Sequence, residues 1–284
     1  MSAQTRPAPT SDAAREEATP AAGRRRRFRR GGRDLLTRVA GVIGVLAVFE
    51  MLSRTGVLPP ESFPPVSEIY AELAVLLTDP GLWIEVDRTM RGWAAGLAIA
   101  TVLAVPIGTL LGASRLAFHA SRLTIEFLRP VPSVALIPLA VLVFGSGHAM
   151  KVFLIAFATF WPIMFQTIYG VQDVDPVARD TARSYGLKRW AIFTRITMPS
   201  AAPYVATGLR ISSAIALILA VTAEIVGAPG LGRAIVVSQV NGAIPQMYAL
   251  ILATGLLGWL LNSVFSSAER RLLRWHPAHR EVAR

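Results

Sequence analysis

The sequence predicts an all-α polytopic membrane protein with six transmembrane helices, and three observations carry that expectation. Apolar residues make up 53% of the 284-residue chain against 17% charged, and the mean hydropathy is +0.48. The charges fall in blocks that leave residues 92–114, 130–150, 152–172 and 234–268 without any Asp, Glu, Lys or Arg. Each run is long enough to cross about 30 Å of hydrocarbon as a helix of roughly 20 residues. The runs are apolar on every face, whereas barrel strands alternate in polarity over about ten residues per pass, so helices are the reading.

In chain order, residues 1–33 are Ala, Pro, Thr, Ser and Arg in low complexity, ending in Arg24 to Arg27, Arg29, Arg30 and Arg33. The apolar run that follows lacks a clear small-residue cleavage pattern, so the segment reads as a disordered basic tail that pins the first helix and meets anionic lipid. That first span, 35–53, carries Arg38 and Glu50. The loop 54–91 is kept extended by Pro59, Pro60, Pro64 and Pro65, and Ser67 then offers an N-cap to a short helix that Asp79-Pro80-Gly81 ends. Ile69, Leu73, Leu76 and Leu77 form one stripe, for the membrane surface or for packing against the bundle. Spans at 92–114, 130–150 and 152–172 follow, then a polar segment 171–200 and a fifth span, 201–226, with Arg210 and Glu224. Turn formers from Gly227 to Gly232 lead to a short helix at 234–240 over the outer mouth, and the last span reaches residue 268. The expected organisation is therefore a tail 1–33, a membrane domain 34–268 and a C-terminal tail 269–284.

Orientation follows from the basic residues. With a cytoplasmic N-terminus, the inside segments 1–34, 115–129, 171–200 and 269–284 hold 22 of the 29 Lys and Arg. The outside segments hold only Arg54, Arg88, Arg91, Lys151 and Arg233, so both termini are expected in the cytoplasm. The net charge of +11 is mostly this asymmetry and no nucleic-acid signature, so no nucleic acid is expected as a partner. The absence of Cys excludes disulfides and thiolate metal sites.

The segment 171–200 is unlike the rest. Asp175 before Pro176 combines a capping side chain with the residue best suited to the first helical position. Ala178, Thr181, Ala182 and Tyr185 then give one small apolar face, and Arg179, Asp180 and Arg183 share the opposite one. Gly186 stops this helix through positive φ, and a second helix over 187–197 is expected to end at Pro199. A small residue such as Ala182 admits close approach of a partner, and the charges set its register. Such a surface docks something.

These residues resemble a known family. Inner-membrane permeases of binding-protein-dependent ABC importers carry a cytoplasmic loop of the form Glu-Ala-Ala, three residues, Gly, nine residues, Ile, one residue, Leu-Pro. Here the same spacing reads Asp180-Thr181-Ala182, Gly186, Ile196 and Met198-Pro199, with Asp, Thr and Met as conservative departures. The wider text, from Arg129-Pro130-Val131-Pro132 through Ile137-Pro138-Leu139, Phe144-Gly145, Gly170-Val171 and Val174-Asp175-Pro176 to Gly208-Leu209-Arg210, is similar to the branch importing aliphatic sulfonates, taurine, nitrate or related small solutes. The resemblance covers about residues 55–268. It implies a type I importer permease fold, working as a homodimer with two ATPase subunits and an external solute-binding protein. It also implies that Asp180, Thr181, Ala182, Tyr185, Gly186, Ile196 and Pro199 form the ATPase-coupling site. The chain has no G-x-x-x-x-G-K-[ST] loop, so no cofactor is expected on it and ATP belongs to the partner subunit.

Charges inside a bilayer suggest function by default, which makes Glu224 and Glu50, near the outer ends of their spans, the substrate-pathway candidates. For Glu224 the competing reading is pairing within the bundle or with the outer loop. Glu126 has Arg122 and Arg129 at helical spacing, and Arg210 can snorkel to the inner face. Pro106, Pro132, Pro138 and Pro162 are expected to interrupt spans. His276 and His279 read as a solvated tail, and Ser133, Ser212 and Ser213 lack an activating His and acid, so no enzyme is expected. An ion-gradient-driven carrier or channel is the rival class. It would share six spans without needing a docking loop of this spacing.

Overall fold

The computed structural model describes residues 37, 39–59, 61–128 and 130–272. The expected tail 1–33 lies outside them, as do Arg129 and most of the expected C-terminal tail. The described chain is helical and divides into two compact units, residues 1–66 and 67–284. In the first unit, helix α1 (39–54) exposes Val42, Val45 and Met51. Its C-terminal turn is tied by Ser53 Oγ, which donates to Phe63 O at 2.6 Å, and Phe49 meets Phe63 edge to face.

The second unit contains α2 (Val66–Thr78), α3 (Pro80–Ala113), α4 (Arg115–Leu128), α5 (Ile137–Phe144), α6 (His148–Gln172), α7 (Pro176–Ser184), α8 (Arg189–Ile192), α9 (Met198–Val226), α10 (Leu231–Val240) and α11 (Ile244–Leu272). Helices α3, α6, the run Arg189–Val226 and α11 are each long and apolar enough to cross a membrane. Helix α3 begins earlier than the charge pattern predicts, at Pro80 and not at residue 92. Asp79 both ends α2 and caps α3, accepting from Gly81 N at 2.9 Å, with Pro80 in the first turn.

Helix α6 is the centre of the unit, packed between α3 and α9. Glycines 92, 96, 108 and 112 of α3 face Lys151, Ile155, Thr167 and Val171 of α6, so each position meets one a fixed distance further along the chain. The two helices therefore run parallel. Small residues permit that approach, which matters because lipid supplies no hydrophobic drive for helix association. Helices α6 and α9 run antiparallel, since Thr159 meets Ser212, Ile163 meets Gly208, and Gly170 meets Ala201 and Tyr204. Helix α11 returns against α9, with Gly258 at Leu217 and Glu269 at Arg210.

Parallel α3 and α6 require the intervening chain to travel back from the Gly112 level to the Gly92 level, about 30 Å at 1.5 Å per residue. Only α4 and α5 are available for this. The expected single span at 130–150 is instead a 3-10 turn, Ser133–Leu136, and the short α5, bent by 77° from α4. Gly145, with φ +72°, ends α5, and that break divides residues 130–150. Counted as one broken span, this pair brings the apolar crossings to five, and the apolar α1 is consistent with a sixth. Pro106 and Pro162 lie inside unbroken α3 and α6, whereas Pro132 and Pro138 sit at the starts of the 3-10 turn and α5. The apolar run 234–268 is likewise two helices, α10 and α11, parted at Gly242 with φ +73°.

The stripe on α2 packs against the bundle: Leu73 and Leu76 join Leu82, Leu231, Ala249 and Leu250 in one buried cluster, while Leu77 stays exposed. A second cluster runs along the centre, from Trp93, Leu97 and Ala104 of α3 through Ile155 and Ile163 of α6 to Ala216 and Ala220 of α9. Trp93 Nε1 donates to Ser213 O at 2.9 Å across it.

Candidate functional site

Two places carry polar chemistry, one at each end of α6. At its C-terminal end, Asp175 Oδ1 accepts from Val177 N at 2.8 Å and starts α7 with Pro176 in the first turn. Gly186 ends it with φ +75°. Leu187 N donates to Ala182 O at 3.1 Å and Gly186 N to Arg183 O at 2.9 Å, which is the Schellman pattern. Asp180 pairs with Arg183 at 3.0 Å on the exposed side.

Of the residues expected to dock, Asp180, Thr181, Tyr185 and Gly186 are exposed, as is Val177. Ala182 is not. At 6% exposure it is buried in its own chain, so close approach at that position is to the rest of this protein. Ile196 is half-buried and Pro199 exposed, but Pro199 does not close a helix. The chain passes through α8 and a π turn, Phe193–Thr197, directly into α9, with Pro199 in its first turn. The proline ring excludes the carbonyl four residues back and offers no N–H. The turn widens there, and Met198 N donates to Phe193 O. Tyr204 Oη donates to Asp173 at 2.7 Å and Arg179 Nη2 to Val171 O at 3.4 Å, tying the segment to α9 and α6.

At the other end of α6, about 30 Å away by helical rise, lies a fully buried ion pair. Lys151 Nζ donates to Glu224 Oε1 at 2.9 Å, to Arg88 O at 2.9 Å and to Pro229 O at 2.8 Å. Glu224 Oε2 accepts from Thr89 Oγ1 at 3.0 Å and Gly232 N at 2.9 Å, and Leu231 N donates to Thr89 Oγ1 at 3.0 Å. Lys151, Glu224 and Thr89 are each 0% exposed. All three ammonium protons are used, so the charges are compensated as burial demands. Glu224 therefore pairs within the bundle and holds the Gly227–Gly232 turn, with its side chain fully buried. Glu50, the other pathway candidate, pairs with Arg54 on α1.

Lys151 was expected in an outer segment and is instead inside α6. The signal was present: it is the lone charge between two apolar runs, 130–150 and 152–172, and a charge so flanked calls for a buried partner. Its stem crosses α3 at Gly92, where a Cβ would collide with Lys151 Cε. At the α7 end, Arg210 reaches Glu269 at 3.4 Å and Thr207 donates to the same carboxylate at 3.1 Å, so Arg210 joins α9 to α11. Arg122 pairs with Glu126 at 2.7 Å.

A bundle of membrane-length helices with one polar helix exposed beyond its end defines a membrane subunit that another protein can engage. The family model described as binding-protein-dependent transport system inner membrane component matches residues 104–275, more than half of the chain. The chain belongs to that family, the permease subunits of ABC importers. The aliphatic sulfonates transport permease protein SsuC of Escherichia coli K12 is 30% identical over 240 residues, 84% of this chain and 90% of the relative. The taurine transport system permease protein TauC of the same organism is 28% identical over 238 residues, 82% and 86% of the two chains. The nitrate import permease protein NrtB of Leptolyngbya laminosa is 29% identical over 197 residues, 69% and 71%. Among solved structures, inward-facing forms of the MetNI methionine ABC transporter align with a TM-score of 0.58 at 17% identity, over 68% of this chain and 98% of that one. That likeness is one of fold.

Proposed function

We propose that this chain, as a homodimer, forms the translocation pathway for a small organic or oxyanion solute of the sulfonate, taurine or nitrate kind. A solute-binding protein delivers the solute at the Lys151–Glu224 end, and a separate ATPase pair drives transport from the α7 end. The names of the relatives support the solute class. The observation that carries the coupling role is α7 itself: a helix capped at both ends that leaves Val177 70% and Tyr185 81% exposed beside the Asp180–Arg183 pair. Large apolar residues exposed on a rigid polar helix suit a protein groove.

Orientation rests on charge. Arg179, Arg183, Lys188, Arg189, Arg195, Arg270 and Arg271 gather where α6 and α11 end, which favours the cytoplasmic side of the cell membrane for that end and for the C-terminus. Hydrolysis belongs to the ATPase, and this chain transmits its motion.

The test is ATP-dependent uptake after reconstitution with the ATPase and binding protein, using Val177→Asp and Tyr185→Ala. Neither side chain is buried, so insertion and unfolding midpoint are expected to hold while uptake falls at least about tenfold, the effect of losing roughly 1.4 kcal/mol of docking energy. Unchanged uptake by both variants, or uptake driven by an ion gradient without ATP, overturns the reading.

A further inference from the structure

Helix α10 is held differently at its two ends. Its C-terminus is closed by its own chain: Ala243 N donates to Ser238 O at 2.9 Å and Gly242 N to Gln239 O at 3.1 Å, with Gly242 at φ +73°. Its N-terminus is closed by other helices. The N-cap position is Gly230, which has no side chain to offer the first-turn amides. Leu231 N donates instead to Thr89 Oγ1 of α3 at 3.0 Å, and Gly232 N to Glu224 Oε2 of α9 at 2.9 Å. A carboxylate at that place also complements the helix dipole. Lys151 of α6 compensates the carboxylate and donates to Pro229 O in the turn before α10.

Glycines stand on both sides of this rod. Gly227 at φ +142° and Gly230 at φ +147° precede it, and Gly242 follows it. A Cβ at Gly230 would collide with the Glu224 carboxylate, so glycine there admits the carboxylate to the turn. The contacts of α10 also differ in kind. Leu231 is buried with Leu73 and Leu76 of α2 and with Ala249 and Leu250 of α11, an apolar seat, whereas α3 and α9 hold the same turn by hydrogen bonds. A cavity of about 550 Å³ lies between α3 and α10, with Glu85 and Arg88 on one wall and Ala234 and Val237 on the other, which leaves α10 room to move relative to α3.

Buried ion pairs are a poor route to stability, since apolar residues of similar volume hold helices together as well or better. A polar seam adds a contact that breaks at discrete hydrogen bonds. We propose that α10 is a hinged flap at this end of the bundle, seated on α2 and α11 by apolar packing and latched to α3 and α9 through Thr89 and Glu224. Release parts α10 from α3 while the helix stays folded and seated on α11. The proposal rests on the importer reading for its purpose, which is to admit solute at the Lys151–Glu224 end.

The experiment measures distances between pairs of spin labels by pulsed electron paramagnetic resonance, on the full chain in lipid nanodiscs. The chain has no Cys, so introduced cysteines carry the only labels. Ile84→Cys with Val240→Cys reports α3 against α10, and Val240→Cys with Leu256→Cys reports α10 against α11; all three side chains are exposed. Thr89→Val removes the acceptor of Leu231 N, and the ratio of long to short α3–α10 distances is expected to rise at least about tenfold, while the α10–α11 distance stays single. Thr89→Ser keeps the hydroxyl and is expected to match the parent. Thr89→Ala carries the same expectation as Thr89→Val and keeps the test decisive if the valine variant misassembles. Unchanged α3–α10 distances in the Val and Ala variants, or α10–α11 distances that broaden along with them, overturn the proposal, the second because it marks local unfolding and not a flap. The distances are read without ATP, ATPase or binding protein, so their outcome is separate from that of the uptake experiment.

Discussion

Lys151 Nζ lies 2.9 Å from Glu224 Oε1 with both side chains fully buried, and this contact joins the first turn of α6 to the last turn of α9. Removing one charge strands the other, so Lys151→Met and Glu224→Gln are each expected to destabilise by about 3–5 kcal/mol. The double variant removes both charges and is expected to cost less than the sum of the singles by at least about 2 kcal/mol, measured as a double-mutant cycle of unfolding in detergent. Additive losses would show that the two groups do not depend on each other.

The same network needs α10 close to α9. A Cβ at Gly232 would collide with Val221 O and lie 2.8 Å from Glu224 Cβ. Gly232→Ala is expected to lose about 1–3 kcal/mol through overpacking against backbone. Gly255, with nothing within 4 Å, is the control, and Gly255→Ala is expected within about 0.5 kcal/mol of the parent. Equal unfolding midpoints for the two variants would refute the packing argument.

At the opposite end, Gly186 holds φ +75° so that the chain can leave α7. Gly186→Val places a β-branched residue in left-handed geometry at roughly 1–2 kcal/mol and is expected to abolish ATP-dependent uptake. Gly186→Asn, which tolerates that conformation, is expected to retain much of it. If Val and Asn behave alike, the helix end is not what the ATPase engages.

Glu269 receives both Arg210 and Thr207, and its side chain is 11% exposed. Glu269→Ala is expected to loosen α11 from α9 by about 1–3 kcal/mol, read as faster amide exchange over 255–272. Unchanged exchange there would show that apolar packing alone holds α11.

The local signals proved legible where a few neighbouring residues decide the outcome. Asp175-Pro176 and Gly186 bound α7, and the turn formers before Leu231 precede α10, because capping and positive φ are satisfied within one or two turns of chain. Asp79-Pro80 marked the end of α2, but its capping of a long α3 was not apparent from a charge pattern that treated Arg88 and Arg91 as loop residues. Residues 130–150 read as one span because apolar composition does not report the break at Gly145, where α5 ends with φ +72°. Pro199 read as a stop because a proline that opens a helix after a π turn and one that follows the end of a helix look alike in a linear text.

By itself, the amino-acid sequence determined that this is a helical membrane protein, which segments are apolar, and that a capped polar helix stands apart from them, all consequences of hydrophobic length and backbone hydrogen bonding. Only the tertiary structure decided that α3 and α6 run parallel, that Ala182 faces inward, and that Lys151 belongs to Glu224. Those outcomes depend on which helices lie side by side, and a buried charge finds its counter-ion through space, from residues 73 positions away along the chain.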